Sequence, residues 1–151
     1  LFEHELIHRI TMESSNNNMS YWFAEGLATY IANFPQRGGD PIELGWYNKK
    51  DFNLIIDELE DINLEKLTES YDVGRYYGVS GMIIKYIDLT YGRDKLLEII
   101  NELGTYPFSD NIANENFDEE NHIKLEEVFI KVLRKNKEKI SNEWSEWLNN
   151  L

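Results

Sequence analysis

The chain has 151 residues, of which 42% are hydrophobic and 13% aromatic, a composition that suits one packed globular domain and excludes a disordered chain. Its formal net charge of −13 disfavours nucleic acid and anionic lipid as partners, because both are negatively charged. The lack of cysteine excludes disulfides, thiolate catalysis and cysteine-ligated zinc.

The hydrophobic pattern predicts a mostly α chain without strands. Apolar residues recur every three to four positions over most of the sequence, which is typical of amphipathic helices. Loops are predicted where Asn, Gly, Pro and acidic residues cluster, above all at 14–20, 35–41 and 104–121. In chain order, the predicted helices are 1–13, 21–33, a short helix within 42–60, 63–70, 75–91, 96–103, 123–135 and 141–151.

The beginning of the chain bears on its organisation. Leu1 already lies within the first predicted helix, and no methionine precedes it. We therefore expect the chain to be the C-terminal part of a longer protein, in which a signal peptide or a further domain could precede residue 1. No apolar run approaches the roughly 20 residues that span a bilayer, so no transmembrane segment is predicted.

The sequence His4-Glu5-Leu6-Ile7-His8 matches the pattern H-E-x-x-H inside the first predicted helix. Residues four apart lie on one face of a helix, so the two imidazoles can bind one ion about 2 Å away. Glu5 flanks that face and suits a carboxylate that contacts the metal's water rather than the metal. Two of the chain's three histidines fall in this motif, which favours a metal site over two incidental surface histidines.

A catalytic zinc needs a third protein ligand and one open position. Thr11 and Ser14 stand where metzincins carry Gly and His, which excludes that class. The remaining histidine, His122, is interpreted as a solvated residue of a polar loop. An acid from the following helix is the other option, and Glu25 supplies it.

The neighbours of Glu25 favour a ligand role. Ala28 and Ala32 lie on the same helical face, and small residues there would let two helices approach closely. A carboxylate within this apolar stretch needs a partner, because an unpaired buried charge is costly. Thr29, one turn on, is a candidate hydrogen-bond partner for a ligand histidine, with a simple helix threonine as the equal alternative.

Aromatic residues elsewhere allow two interpretations. A phenol near an open zinc position can stabilise an oxyanion, and Tyr76 and Tyr77 both stand at the start of the helix predicted over 75–91. By themselves, these two residues are more typical of core aromatics. Trp144 and Trp147 are interpreted as packing residues, because their spacing suits the buried face of an amphipathic helix.

Taken together, these residues resemble the gluzincin clan of zinc metallopeptidases. The match is carried by residues 2–8 and by the W-x-x-E-G-x-A-x-Y pattern at 22–30, which is similar to large zinc aminopeptidases and to smaller bacterial peptidase MA-like domains. Weaker similarity continues through 77–92 and 143–148. The sixteen residues between the second histidine and the acid are slightly fewer than in the large aminopeptidases, which favours the MA-like domains.

The resemblance implies a zinc-dependent peptidase of bacterial origin, acting on a peptide or protein through a metal-activated water. Thr29 departs from thermolysin-like enzymes, which carry an acid there, so the support around the metal is expected to be weaker. The residues carried over are the zinc ligands His4, His8 and Glu25, the general base Glu5, and the oxyanion stabiliser Tyr77, with Tyr76 as the alternative.

The expected architecture is the mostly α, C-terminal part of an α+β zincin catalytic domain. Residues 1–151 would form one gluzincin-type domain, with a zinc-binding helix pair at 1–33, a helical subdomain at 63–151, and the family's sheet before residue 1. The alternative function is an inactive gluzincin-like domain that binds a protein, and a third is a helical interaction domain with incidental histidines. The substrate, the oligomeric state and the compartment, cytoplasmic or secreted, stay open.

Overall fold

The computed structural model describes residues 2–33, 54–62 and 72–150, and all regular structure within these ranges is helical. The prediction of a mostly α fold is confirmed. The helix predicted over 63–70 and the loop at 35–41 lie outside the described residues. The helices are α1 (Phe2–Ser14), α2 (Tyr21–Asn33), α3 (Ile56–Glu60), α4 (Asp72–Tyr91), α5 (Arg93–Leu103), α6 (Phe117–Leu133) and α7 (Lys137–Asn149).

Four helices begin earlier than predicted, α4 and α5 by three residues and α6 and α7 by more. Helix α6 starts at Phe117 instead of residue 123, and its first turn is acidic, which suits the positive end of the helix dipole. Helix α7 starts at Lys137 instead of residue 141, because the Asn136 side chain caps it by accepting a hydrogen bond from the Lys139 amide. Apart from Phe117 and Ile140, the added residues of α6 and α7 are polar, so the apolar period that located the helices did not include them.

The early start of α6 also changes the setting of His122, which lies within the helix and not in a polar loop. Its side chain is only 11% exposed, with Nε2 3.0 Å from Oδ2 of Asp118 and Nδ1 3.8 Å from Oε1 of Glu60. The interpretation of His122 as a solvated residue is therefore wrong. Asp118 stands one helical turn before it, an arrangement that exists only once residues 117–122 are helical.

The core is built around α2 and α4, which pack along each other. Gly26 allows this approach, since a Cβ at that position would lie 2.6 Å from the carbonyl oxygen of Ser80 on α4. Helix α7 adds Trp144, which is 1% exposed, and Trp147, whose ring centroid lies 5.5 Å from that of Tyr86. Both tryptophans contact the core, as predicted.

The turn between α1 and α2 is short, and hydrogen bonds to another part of the chain hold it in place. Asn16 and Asn17 adopt left-handed backbone conformations, with φ of 55° and 59°. Their side chains donate hydrogen bonds to carbonyl groups of the α5–α6 loop: Asn16 to Tyr106 at 3.0 Å and Asn17 to Ser109 at 2.8 Å. The turn is thereby anchored to a loop about ninety residues later in the sequence.

A buried polar cluster completes this anchor. The fully buried Asn18 donates to the Leu103 carbonyl at 3.0 Å and accepts from Nζ of Lys124 at 2.8 Å. Asn121, also fully buried, donates to the Met19 carbonyl at 3.0 Å. The buried amides of this cluster are thus satisfied, which makes the connection between α1 and α2 rigid.

The described helices do not meet the requirements of a membrane span. None of those in 2–33, 54–62 and 72–150 has both the length and the hydropathy needed to cross a bilayer. This agrees with the prediction made from the apolar runs of the sequence.

Candidate metal centre

Helices α1 and α2 bring the three predicted ligands together. His4 and His8 lie one turn apart on α1, and their ring centroids are 4.7 Å apart at an interplanar angle of 77°. Glu25 lies one turn into α2, whose first amide, that of Tyr21, donates to Oδ1 of Asp118 at 2.8 Å. Asp118 thus anchors the start of the helix that carries the third ligand.

The three donor atoms form a nearly equilateral triangle. Nε2 of His4 and Nε2 of His8 are 3.0 Å apart, and each lies 3.1 Å from Oε2 of Glu25. A zinc ion with tetrahedral bonds of about 2.0 Å separates its donor atoms by about 3.3 Å. The triangle is therefore within a few tenths of an ångström of zinc geometry, and two imidazoles with one carboxylate are a donor set that zinc prefers.

Hydrogen bonding alone does not explain the triangle. A neutral imidazole Nε2 either carries one proton or offers one lone pair, so three such contacts cannot all be good hydrogen bonds. Among the described residues, His4, His8 and Glu25 form the one group of three or more potential metal ligands whose donor atoms lie within 4.8 Å of one another. The geometry and the chemistry of the donors both fit a divalent cation.

The carboxylate at this centre is held ionised. Burial by itself raises the pKa of Glu25, but hydrogen bonds from His4 and His8 outweigh it and lower the pKa to about 2. The hydrogen bond to Glu25 in turn raises the pKa of His8, against the opposing effect of burial. Glu25 is therefore negatively charged at neutral pH.

Glu5 lies beside the ligand triangle and is not part of it. Its side chain is exposed on α1 and lines the same cleft as His8 and Glu25. Its charge contributes to the raised pKa of His8, so the two groups are electrostatically close. This position agrees with the prediction that Glu5 flanks the metal-binding face.

The two candidate tyrosines differ in their surroundings. Tyr77 is half-buried, and its ring stacks on that of His4 with centroids 6.1 Å apart at 26°. Burial, together with the charges of Glu25 and Glu5, raises the pKa of Tyr77, so the phenol keeps its proton and can donate a hydrogen bond. Tyr76 is 2% exposed and belongs to the core. The surroundings favour Tyr77 as the residue that faces the metal centre.

A small residue on α2 that the prediction did not name makes a close approach, since Gly26 packs against Ser80 of α4. The predicted close packing of Ala28 and Ala32 toward the other ligand helix stays a prediction. Ala28 is fully buried. The predicted hydrogen bond from Thr29 to a ligand histidine stays a prediction. Gly26, which directly follows Glu25, was the sequence signal that could have located the contact with Ser80.

The candidate metal centre opens into a cleft of about 220 Å³. The cleft lies between the C-terminal half of α1 and the first turns of α2, and part of its wall comes from the α5–α6 loop and from α6. Sequence reasoning did not identify these wall residues, since apolar side chains in a helix pattern look the same whether they line a cleft or a core. The members that matter below are Met12, Met19, Tyr21, Asn111 and Phe117.

Comparisons of the chain with known protein families, curated proteins and solved structures find no match. The resemblance to gluzincins therefore rests on the motif residues of the sequence.

Proposed function

We propose that this chain is the metal-binding, helical part of a zinc peptidase of the gluzincin type. The observation that carries the proposal is the convergence of His4, His8 and Glu25, from two helices, on one point with separations of 3.0–3.1 Å. Two histidines and one glutamate leave a fourth position open, which is the arrangement of catalytic zinc. A zinc ion held there would supply a bound water with a pKa of about 7 and a Lewis acid for the scissile carbonyl.

Glu5 acts as the proton carrier. Its carboxylate accepts a proton from the attacking water as the new C–O bond forms, and then delivers the same proton to the leaving amine as the peptide C–N bond breaks and the carbonyl is restored. The position of Glu5, exposed on the cleft wall and outside the ligand triangle, supports this role. A purely structural zinc site would have no use for such a carboxylate.

Tyr77 stabilises the carbonyl oxygen as negative charge develops on it. A protonated phenol is a suitable donor for that oxygen, and the raised pKa of Tyr77 keeps it protonated at neutral pH. The support for its placement is the stacking of its ring on His4. A cleft with a largely apolar wall and a net charge of −13 suit a polypeptide substrate better than a nucleic acid.

The test combines metal analysis with a peptide-library assay of the full chain and of Glu5→Gln. We expect one zinc per chain in both proteins, and about 10³-fold lower kcat in Glu5→Gln, because a general base typically contributes 10²–10⁴-fold. Glu13→Gln is the matched control, since Glu13 is exposed on the same helix. Its kcat should be unchanged.

Two results would count against the proposal in different ways. Wild-type turnover in Glu5→Gln would remove Glu5 from the role of base. Stoichiometric zinc in the wild-type chain without hydrolysis of casein or of any library peptide would favour the alternative, an inactive gluzincin-like domain that binds a protein.

A further inference from the structure

The wall of the cleft beside the metal centre is mainly apolar. Met19 and Phe117 are 6% and 5% exposed and form its inner part, while Met12 on α1 is 48% exposed at its rim. The ring of Tyr21 lies on that of Phe117 with centroids 5.6 Å apart. Four large apolar or aromatic side chains, from α1, the α1–α2 turn, α2 and α6, thus surround one space.

Away from Glu5, His8 and Glu25, side-chain donors of this wall are already engaged in hydrogen bonds within the protein. The Thr11 hydroxyl donates a hydrogen bond to the carbonyl of Ile7 at 2.8 Å. The Ser15 hydroxyl donates to the carbonyl of Met12. The Asn17 amide donates to the Ser109 carbonyl at 2.8 Å. A polar occupant would therefore find few protein groups to replace its lost water, and burying it would be unfavourable.

The cleft is continuous with the metal centre. Its wall on α1 runs from Glu5 through His8 to Ser15, a distance of about 15 Å along the helix. Glu25 closes the same space from α2. Whatever lies in the cleft is thus adjacent to the groups proposed to carry out the chemistry, and the carboxylate of Glu5 at its mouth repels an acidic side chain.

We propose that this cleft binds one large apolar side chain of the peptide substrate, that of a residue next to the scissile bond. The proposal rests on the proposed peptidase function for its placement relative to the bond, and on the wall of Met12, Met19, Tyr21 and Phe117 for its chemistry. Met12 is the specificity-determining residue at the rim, because its side chain lines the cleft and is also accessible to solvent.

The first arm of the test measures binding in the Glu5→Gln background, in which peptides are held but not cut. The probes are blocked hexaalanine peptides in which one central residue is alanine, phenylalanine, lysine or aspartate, titrated by calorimetry into the zinc-loaded full chain. We expect the phenylalanine peptide to bind about tenfold more tightly than hexaalanine, since partial burial of one aromatic side chain supplies that factor.

Charge substitutions at the rim should redirect this preference. Met12→Lys should abolish the tenfold advantage of phenylalanine and give the aspartate peptide the advantage instead, while Met12→Glu should favour the lysine peptide. Ile10→Lys and Ile10→Glu are matched controls, because Ile10 is 54% exposed on α1 and does not line the cleft. These controls should keep the wild-type order of affinities, although they change the net charge equally.

Equal binding of all four peptides would overturn the proposal, and so would identical effects of the Met12 and Ile10 substitutions. The second arm assays hydrolysis of the same peptides with Glu5 intact, which separates the two proposals. Zinc-dependent cleavage without selectivity that follows Met12 would contradict the subsite and leave the peptidase. Selective binding that follows Met12 without any cleavage would contradict the peptidase and the placement next to a scissile bond, and would support the cleft as a binding site for an apolar side chain.

Discussion

The helix that carries the paired histidines and the helices that form the core are held in very different ways. Only Thr11 is buried on α1, and its outer apolar residues Phe2, Leu6 and Ile10 are 80%, 45% and 54% exposed. Helix α4, by contrast, is buried without interruption from 78 to 87. Helix α2 belongs to both regions, since it carries Glu25 and packs on α4.

Because of this difference, the proposed catalytic groups and the residues that stabilise the fold lie largely in separate regions. The proposed catalytic groups lie mainly on a helix that contributes little to the core, whereas the buried apolar area that stabilises the fold comes mainly from α2–α7. Substitutions in the two regions should therefore affect different measurements, and the predictions below test that separation.

The largest effect is expected at Glu25. Zinc binding of about 10–16 kcal/mol is shared among the ligands, so removing one of three protein ligands in Glu25→Ala should weaken zinc affinity by about 10³-fold. The variant should lose its metal on mild dialysis while its helical circular dichroism is retained. Glu13→Ala serves as control. Stoichiometric zinc in Glu25→Ala after dialysis would remove this residue from the site.

A comparably large effect on a different quantity is expected at Trp144, which is 1% exposed. Trp144→Ala should lower the free energy of unfolding by about 3 kcal/mol or more, because a large cavity is left in the core. Trp147→Ala, at a half-buried position, should lower it by clearly less. Urea denaturation measures both. Zinc affinity at low temperature should match the wild type, and a tenfold change in it would break the separation.

Gly26 is where the two regions meet, so one substitution should affect both. A methyl group there would lie 2.6 Å from the backbone oxygen of Ser80, so α2 must move away from α4. We expect Gly26→Ala to cost about 2 kcal/mol of stability and to weaken zinc binding about tenfold, because Glu25 moves with the helix. Gly92→Ala, in open space at φ 96°, should lower stability and leave zinc affinity unchanged.

The smallest effect is a pH dependence within the packed region. Hydrogen bonds from Arg93 and Tyr30 lower the pKa of Asp88, against the effect of burial. A lowered carboxyl pKa stabilises the fold above the unfolded value of about 4, and the stabilisation is lost as the pH falls through the folded value.

The corresponding variant is Asp88→Asn. Its free energy of unfolding should decline less steeply than that of the wild type below about pH 4, by about 0.5–1 kcal/mol after screening by solvent around Arg93. Denaturation at several pH values measures this difference. Asp94→Asn, an exposed site on α5, should leave the slope unchanged. If the free energy of unfolding of Asp88→Asn fell with pH as steeply as that of the wild type, the stabilising role of the lowered Asp88 pKa would be contradicted.

The sequence predicted those features that depend on local patterns. The apolar period located most helices, and the H-E-x-x-H spacing with a later acid identified the three residues that the structure brings together. Features that depend on distant partners were not predictable in the same way. The burial of His122 followed from an early, polar start of α6, and the contact of Gly26 with Ser80 joins residues far apart in the sequence. The spacing of apolar residues within one segment carries no information about which other segment packs against it.

The anchored turn between α1 and α2 has a consequence for how the molecule matures. Its buried Asn18 is satisfied by Lys124, more than a hundred residues later, and Asn121 supports the same turn. A nascent chain therefore contains the three proposed ligands about a hundred residues before it contains the groups that hold the turn between their helices. Metal loading is expected to wait until Asn121 and Lys124 have been synthesised and packed against that turn.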